Sequence, residues 1–117
     1  MPTQSLYFVV LHHTGIELPH FDLLFETIPG SDLTTFRVSD WPIDEGTHAT
    51  RLRDHRRLYL TYSGPIPGQR GYVSRVQQSD CVIELSTSQI VVHLGRSVLR
   101  FEQEKDDAWW VRAEHQD

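Results

Sequence analysis

Three histidines and one aspartate lie close together in the stretch LHHTGIELPHFDLLFE, residues 11–26. Residues two apart on a β-strand share a face, so His20 and Asp22 would lie on one side and Phe21 on the other. The two polar groups are then about 7 Å apart along the strand and can converge on one ion or substrate. His13 ends the preceding apolar run and can reach the same place across a short loop. The alternative is a solvent-facing strand in which the histidine and the aspartate only hydrogen-bond each other.

A second polar stretch, RLRDHRRLYLTY at residues 51–62, carries one histidine among several arginines. If it forms one unbroken strand, His55 and Tyr59 lie on the same face. That face would also carry Arg51, Arg53 and Arg57. Two histidines and a carboxylate are a suitable three-ligand set for a divalent first-row metal with open positions for substrate, and guanidinium groups nearby would hold phosphate oxygens. The alternative is a solvated basic edge strand, which protects a sheet against aggregation.

Length, composition and cysteine content limit the class of protein. The 117 residues predict a single domain, 1–117, with one hydrophobic core. The chain has no apolar run long enough for a membrane helix and no basic, apolar leader, so we expect neither membrane association nor secretion. The single cysteine, Cys81, cannot form an internal disulfide, and we expect it to be buried and inert. The expected location is therefore the cytoplasm.

The charge of the chain is unevenly distributed along the sequence. The net charge of −5 argues against a general nucleic-acid binder. Residues 51–75, however, contain six of the eleven basic residues and a single acid, Asp54, so this part carries +5 and the remainder −10. An anion can therefore be attracted to one face of a molecule that is acidic overall.

The elements that must position these side chains are predicted to be β-strands. No stretch keeps a helical period for three turns, and Gly- and Pro-rich turns separate short apolar runs. Many short strands in one small all-β domain indicate a closed or nearly closed antiparallel β-barrel, with a sandwich as the alternative. The predicted strands are residues 6–11, 20–26, 33–38, 49–53, 58–62, 72–76, 81–85, 90–94, 97–102 and 108–113.

Two blocks of this sequence resemble a known family. FVVLHHTGIELPHFDLLFE and DHRRLYLTYSGPIPGQRGYV are similar to the two site-bearing blocks of the 3′-phosphoesterase domain of bacterial DNA ligase D, and the match is closer to short stand-alone bacterial relatives of that domain. The resemblance covers roughly residues 7–76, and the two blocks occur in the right order. It implies a small β-barrel that binds one manganese ion and trims nucleic-acid 3′ ends, removing a terminal ribonucleotide and then the 3′-phosphate.

The resemblance also implies roles for individual residues. The metal ligands fall on His13, Asp22 and His55, with His12 one residue out of register as the alternative to His13 because this loop is one residue longer. The catalytic positions, which act on the phosphoryl group and not on the ion, fall on His20 and Tyr59. A set of carboxylate and imidazole ligands suits manganese, although zinc or another divalent metal would also fit.

The sequence departs from the family at two phosphate-binding arginines. One arginine position, two residues after the metal aspartate, is occupied by Leu24, and the other, eight residues before the second metal histidine, is occupied by Thr47. Basic side chains that can substitute for them as phosphate-binding residues are Arg51, Arg53 and Arg70.

Two functions follow from these observations. The first is a manganese-dependent phosphoesterase that acts on nucleic-acid 3′ ends in DNA repair. The second is a catalytically silent module that keeps the metal- or phosphate-binding site. The expected partners are nucleic-acid 3′ ends and DNA-repair proteins, with no membrane partner, and we expect a monomer.

Overall fold

Nine β-strands and one short 3-10 helix make up the protein in the computed structural model, which describes residues 5–115. The strands are β1 (Leu6–Thr14), β2 (His20–Phe25), β3 (Thr34–Val38), β4 (Gly46–Arg51), β5 (Gly64–Pro65), β6 (Tyr72–Leu85), β7 (Gln89–Leu94), β8 (Ser97–Lys105) and β9 (Ala108–His115). The 3-10 helix spans Arg57–Leu60. Within residues 5–115, no helix has the length and apolar character needed to cross a membrane.

The strands form a closed antiparallel barrel. Their order is β1-β2-β3-β4-β9-β8-β7-β6, and β6 pairs with β1 to complete the ring. The two-residue strand β5 pairs with Tyr72 and Val73 at the start of β6. The barrel predicted from the sequence is therefore confirmed.

The interior of the barrel is filled by side chains from alternate positions of the strands. Phe25, Phe36 and Phe101 are fully buried and stack on one another, with ring centroids 4.4–6.2 Å apart. Removing each such ring from water contributes about 1.5–3 kcal/mol to the stability of the fold. Cys81 lies in the same core, where burial raises the pKa of its thiol to about 12, so the expectation of a buried cysteine is confirmed.

A second apolar cluster lies on the outside of the barrel. Val9, Leu11 and Leu24 point away from the interior and are nevertheless fully or almost fully buried. They are covered by residues 52–71, named here the covering segment, through Tyr59, Leu60, Tyr62 and Ile66. Strands β1 and β2 are therefore buried on both faces, which explains their nearly continuous apolar sequence.

The covering segment corrects one prediction. The stretch at residues 51–62 does not form a strand: β4 ends at Arg51, and the chain then makes one isolated antiparallel bridge, between Leu33 and His55, and the 3-10 helix. The alternating leucines resembled a strand, but only Leu60 of them packs on the outer cluster, together with Tyr59, and Leu58 is exposed. Consequently Arg51, Arg53 and Arg57 do not share a strand face with His55, and that expectation is wrong.

A second difference concerns the strands predicted at residues 72–76 and 81–85. The structure joins them into the single long strand β6, which pairs with β1 over its first part and with β7 over its last part. The polar residues between the two apolar runs continue the strand, because they pair with β1 on a face that is partly exposed. The long strand matters for the site because it closes the barrel beside His13, opposite Val73.

Candidate functional site

A small cavity of about 170 Å³ lies between the outer face of the barrel and the covering segment. It forms where β1 ends and β2 begins, so His13 near the end of β1 and Asp22 near the start of β2 both line it. Leu11 and Val73 form part of its apolar floor. Its polar lining consists of His13, Asp22, Arg37, His55, Tyr59 and Arg70.

The closest group of possible metal ligands consists of His13, His20 and Asp22. One ligand atom from each lies within 4.8 Å of the others. The strand register explains this arrangement, because His13 is paired directly with His20 across β1 and β2, and Asp22 follows two residues later on the same face. Nδ1 of His13 is 3.1 Å from Nε2 of His20, which is 3.7 Å from Oδ1 of Asp22. Both His20 and Asp22 are buried.

Backbone carbonyl groups fix the orientation of all three imidazoles near the cavity. Nε2 of His13 donates to the carbonyl of Arg70 at 2.7 Å, and Nδ1 of His20 donates to that of Leu18 at 3.0 Å. Nδ1 of His55 donates to the carbonyl of Arg53 at 3.0 Å. A carbonyl oxygen only accepts, so each of these ring nitrogens carries a hydrogen, and the opposite nitrogen is the possible ligand atom. Histidines that bind metals have this arrangement almost always.

The protonation of His20 follows from its surroundings. Burial lowers the pKa of His20, although the hydrogen bond to Leu18 and the nearby Asp22 act in the opposite direction. The neutral ring is thereby favoured. Its Nδ1 hydrogen is directed to Leu18, so a lone pair on Nε2 faces His13 and Asp22. This is the form that a metal ion requires.

His55 reaches the cavity from the opposite side. Its backbone exchanges two hydrogen bonds of 2.8 Å with Leu33, which anchors the covering segment to the barrel. Its ring packs edge-on against Tyr59 at a centroid distance of 5.5 Å, and both side chains line the cavity. The structure thus brings His13, Asp22, His55 and Tyr59 together, while the closest ligand group contains His20 in the place that the resemblance gives to His55.

Arg37 is a cavity residue that the sequence reasoning missed. It lies on β3 directly opposite Asp22, and its Nε donates to Oδ1 of Asp22 at 3.1 Å. Its side chain is 39% exposed, so the guanidinium group is held by a buried carboxylate while it remains accessible. The only signal in the sequence was a basic residue within an apolar strand. The importance of Arg37 comes from its cross-strand pairing with Asp22, and this pairing depends on the length of the β2–β3 connection.

Of the three arginines predicted to bind phosphate, one lies at the cavity and two do not. Arg70 lines the cavity, as expected. Arg51 does not: its guanidinium lies over the rings of Phe36 and Trp109, 5.8 and 5.7 Å from their centroids. Arg53 is exposed and contributes its backbone carbonyl to His55, but its side chain is not part of the cavity lining.

Three further positions were uncertain from the sequence. His12 stacks on Phe21 at 4.3 Å on the other face of the strands, so His13 is the histidine directed to the cavity. Leu24 is fully buried in the outer apolar cluster, and an arginine side chain there would have to displace the covering segment. Thr47 lies on β4, in the lining of a neighbouring groove.

Comparison of the chain with models of protein families and with curated proteins finds no match. The similarity to the ligase D domain therefore stays a prediction made on two sequence blocks.

Proposed function

We propose that this protein is a divalent-metal-dependent phosphoesterase that acts on the 3′ ends of nucleic acids, with manganese as the metal. The observation that carries the proposal is the common orientation of His13, His20 and His55. In each, one ring N–H donates to a backbone carbonyl. The other ring nitrogens of His13 and His20 lie close to the buried carboxylate of Asp22, and His55 lines the cavity that contains this carboxylate.

The residues fit a metal ion in distance and in chemistry. Two ligands at right angles on one ion, with bonds near 2.1 Å, lie about 3 Å apart, close to the 3.1 Å between His13 and His20. Asp22 supplies the carboxylate, and two imidazoles with one carboxylate leave positions open for substrate. We therefore assign His13, His20 and Asp22 to the ion. The resemblance implies instead that His55 completes the set.

The remaining cavity residues suit a phosphoryl group. A divalent ion, when bound, would neutralise phosphoryl oxygens as charge develops in the transition state. Arg37 and Arg70 supply guanidinium groups for the same oxygens, and Arg37 takes the part of the arginines replaced by Leu24 and Thr47. On the covering segment, Nδ1 of His55 keeps its hydrogen on the carbonyl of Arg53, so a second hydrogen carried on Nε2 would be the one transferred to the departing oxygen, and Tyr59 orients the phosphate. If His55 binds the ion, His20 takes the proton-transfer role.

A catalytically silent module is the second candidate. It is favoured by Leu24, because this position is filled by apolar packing and cannot be restored to arginine without loss of the outer cluster. Such a module would bind the metal or a phosphate end through the same cavity and release it unchanged.

The deciding experiment measures manganese-dependent removal of a 3′-terminal ribonucleotide or a 3′-phosphate from an oligonucleotide. We expect activity in the wild type and its loss in Asp22→Asn, together with at least a tenfold weaker manganese affinity by calorimetry, which is about the effect of losing even an outer partner of a metal ligand. His93→Ala is the matched histidine control, because His93 lies on β7 and pairs with Glu84.

Two more variants separate the assignments of the third ligand. If His20 binds the ion, His20→Ala weakens manganese binding, whereas His55→Ala leaves the affinity near that of the wild type and slows the reaction. The opposite pattern would move His55 into the ligand set. Tight manganese binding without processing of either end would reject the enzyme and favour the silent module.

A further inference from the structure

A larger groove of about 760 Å³ adjoins the small cavity. One wall is the loop between β1 and β2, with Ile16, Leu18 and Pro19. The other wall consists of the end of β3 and the strand β4, with Val38 and the hydroxyl groups of Ser39, Thr47 and Thr50. Arg37 lines both the groove and the cavity, so the two spaces meet at this residue.

The groove is apolar on one side and polar on the other. Leu18 is 78% exposed and lines the groove, so it gives the groove an apolar surface. On the opposite wall His48 packs edge-on against Trp110, 4.9 Å between ring centroids. The charged side chains in the lining are Arg37 and Glu17, and Nδ1 of His48 lies 3.4 Å from the carboxylate of Glu104. A ligand with an apolar ring and a phosphate can place the ring on Leu18 and the phosphate at Arg37.

The size of the two spaces decides how a phosphoester can be placed. The cavity of about 170 Å³ is sufficient for an ion and a phosphoryl group but not for the nucleoside attached to it. Pockets that enclose whole organic ligands measure about 300–1,000 Å³, and the groove falls in this range. Because the sugar is joined directly to the phosphorus through one oxygen, it can leave the cavity beside Arg37, which lines both spaces, and enter the groove.

We propose that this groove binds the 3′-terminal nucleoside of a single-stranded end, with its base against the loop that carries Leu18 and its 3′-phosphate at Arg37. The inference rests on the proposed function and specifies its substrate. Base contacts with apolar and aromatic surfaces tolerate any sequence, and phosphate is bound through charge. The protein would therefore recognise the end of a strand and not its sequence.

The test compares strands that differ only at the 3′ end: one with a normal terminal nucleoside 3′-phosphate, one with an abasic terminal sugar 3′-phosphate, and one with a 3′-hydroxyl. We expect the manganese-loaded wild type to process the normal strand with a kcat/KM about tenfold above that of the abasic strand, which is the effect typical of one stacked base. Leu18→Glu should reduce this preference for the base. The carbonyl of Leu18 that holds His20 is kept in this variant.

Leu85→Glu is the matched control. It adds the same charge at an exposed leucine that ends β6, whereas the cavity lies near the start of this strand, at Val73. This variant should keep the wild-type preference for the base. Equal processing of normal and abasic strands by the wild type, or an unchanged preference in Leu18→Glu, would overturn the groove assignment.

Failure of the proposed function would be visible separately. If no strand is processed, the dissociation constants of the same three strands are measured by fluorescence anisotropy. Binding that depends on the terminal base, and that Leu18→Glu weakens, retains the groove even when catalysis is absent. Binding that ignores the base rejects the groove whatever happens to the 3′-phosphate.

Discussion

At the scale of single residues, the site depends on a cross-strand pair. Asp22 and Arg37 face each other on β2 and β3, and the carboxylate holds the guanidinium through Nε. In the proposed reaction the buried carboxylate of Asp22 would bind the metal ion, and it also orients Arg37, so it links metal binding to phosphate binding. Arg37 is therefore the residue whose loss should separate metal binding from catalysis most clearly.

We expect Arg37→Ala to lower kcat/KM for 3′-phosphate removal by about 10²-fold, the typical effect of losing one group that stabilises charge in the transition state. Arg37→Lys should recover little of it, because an ammonium group lacks the planar fork that matches phosphate. Steady-state kinetics with parallel manganese titration would measure both effects. Arg96→Ala, at an exposed turn between β7 and β8, is the control. Full activity in Arg37→Ala would remove this residue from the mechanism.

At the scale of elements, the covering segment must be held in place for His55 and Tyr59 to face the barrel. A buried carboxylate contributes to this. Glu26 is 3% exposed and accepts hydrogen bonds from the backbone of Tyr7 at 2.9 Å, from the backbone of Gly30 at 2.8 Å and from Nη1 of Arg57. Arg57 also donates to the carbonyl of Ser31 at 3.0 Å. The start of the 3-10 helix is thus tied to β1 and to the turn after β2.

The Glu26 network predicts an acid-dependent stability. Burial alone would raise the pKa of Glu26, but the bonds from Arg57, Gly30 and Tyr7 outweigh it and lower the pKa below its ordinary value of 4.5. The pKa of Glu26 is lower in the folded state than in the unfolded state. The stabilisation is therefore complete above the unfolded-state pKa and is lost as the pH falls from that value through the folded-state pKa. We expect Glu26→Gln to reduce the free energy of unfolding at pH 7 by about 1–3 kcal/mol.

Urea unfolding followed by tryptophan fluorescence between pH 3 and pH 7 (roughly the range in which a glutamate titrates) would test this expectation. The difference between wild type and Glu26→Gln should shrink toward the acid end of the range. Glu45→Gln removes an exposed carboxylate as a control. A difference that is constant across the range would show that the charge of Glu26 does not contribute to stability.

The same segment shows what the sequence could and could not predict. The barrel was predictable because alternating apolar residues and turn residues recur along the chain, and one face of each strand must be buried. Strand parity placed His20 and Asp22 on one face, and His13 was expected to reach the same place across the loop, with His12 as the alternative. The covering segment was not predictable, because Leu52, Leu58 and Leu60 alternate like strand residues. Its position is determined by the apolar outer face of β1 and β2, on which Tyr59, Leu60, Tyr62 and Ile66 pack. Arg37 was missed for a related reason, since its partner lies on another strand.

At the scale of the whole molecule, the arginines of residues 51–75 do not form one basic surface. Arg57 is paired with Glu26, Arg51 lies over aromatic rings at the barrel interior, and Arg75 donates to the carbonyl of Leu60 at 2.8 Å. Only Arg70 of this set joins Arg37 at the cavity. The attraction of a nucleic acid should therefore come from very few charges on a molecule whose net charge is −5.

This arrangement predicts a weak dependence of strand binding on salt. Each phosphate neutralised on a single strand contributes about −0.7 to the slope of log K against log salt concentration. One or two contacts, at Arg37 and Arg70, give a slope between about −0.7 and −1.4, whereas six arginines on one face would give about −4.

Anisotropy titrations of a 3′-phosphorylated strand at several salt concentrations measure the slope directly. Arg70→Ala should make it less steep by about 0.7, while Arg53→Ala, which removes an exposed side chain outside the cavity, should leave it unchanged. A slope near −4 that Arg53→Ala reduces would mean that the strand follows the covering segment and not the cavity.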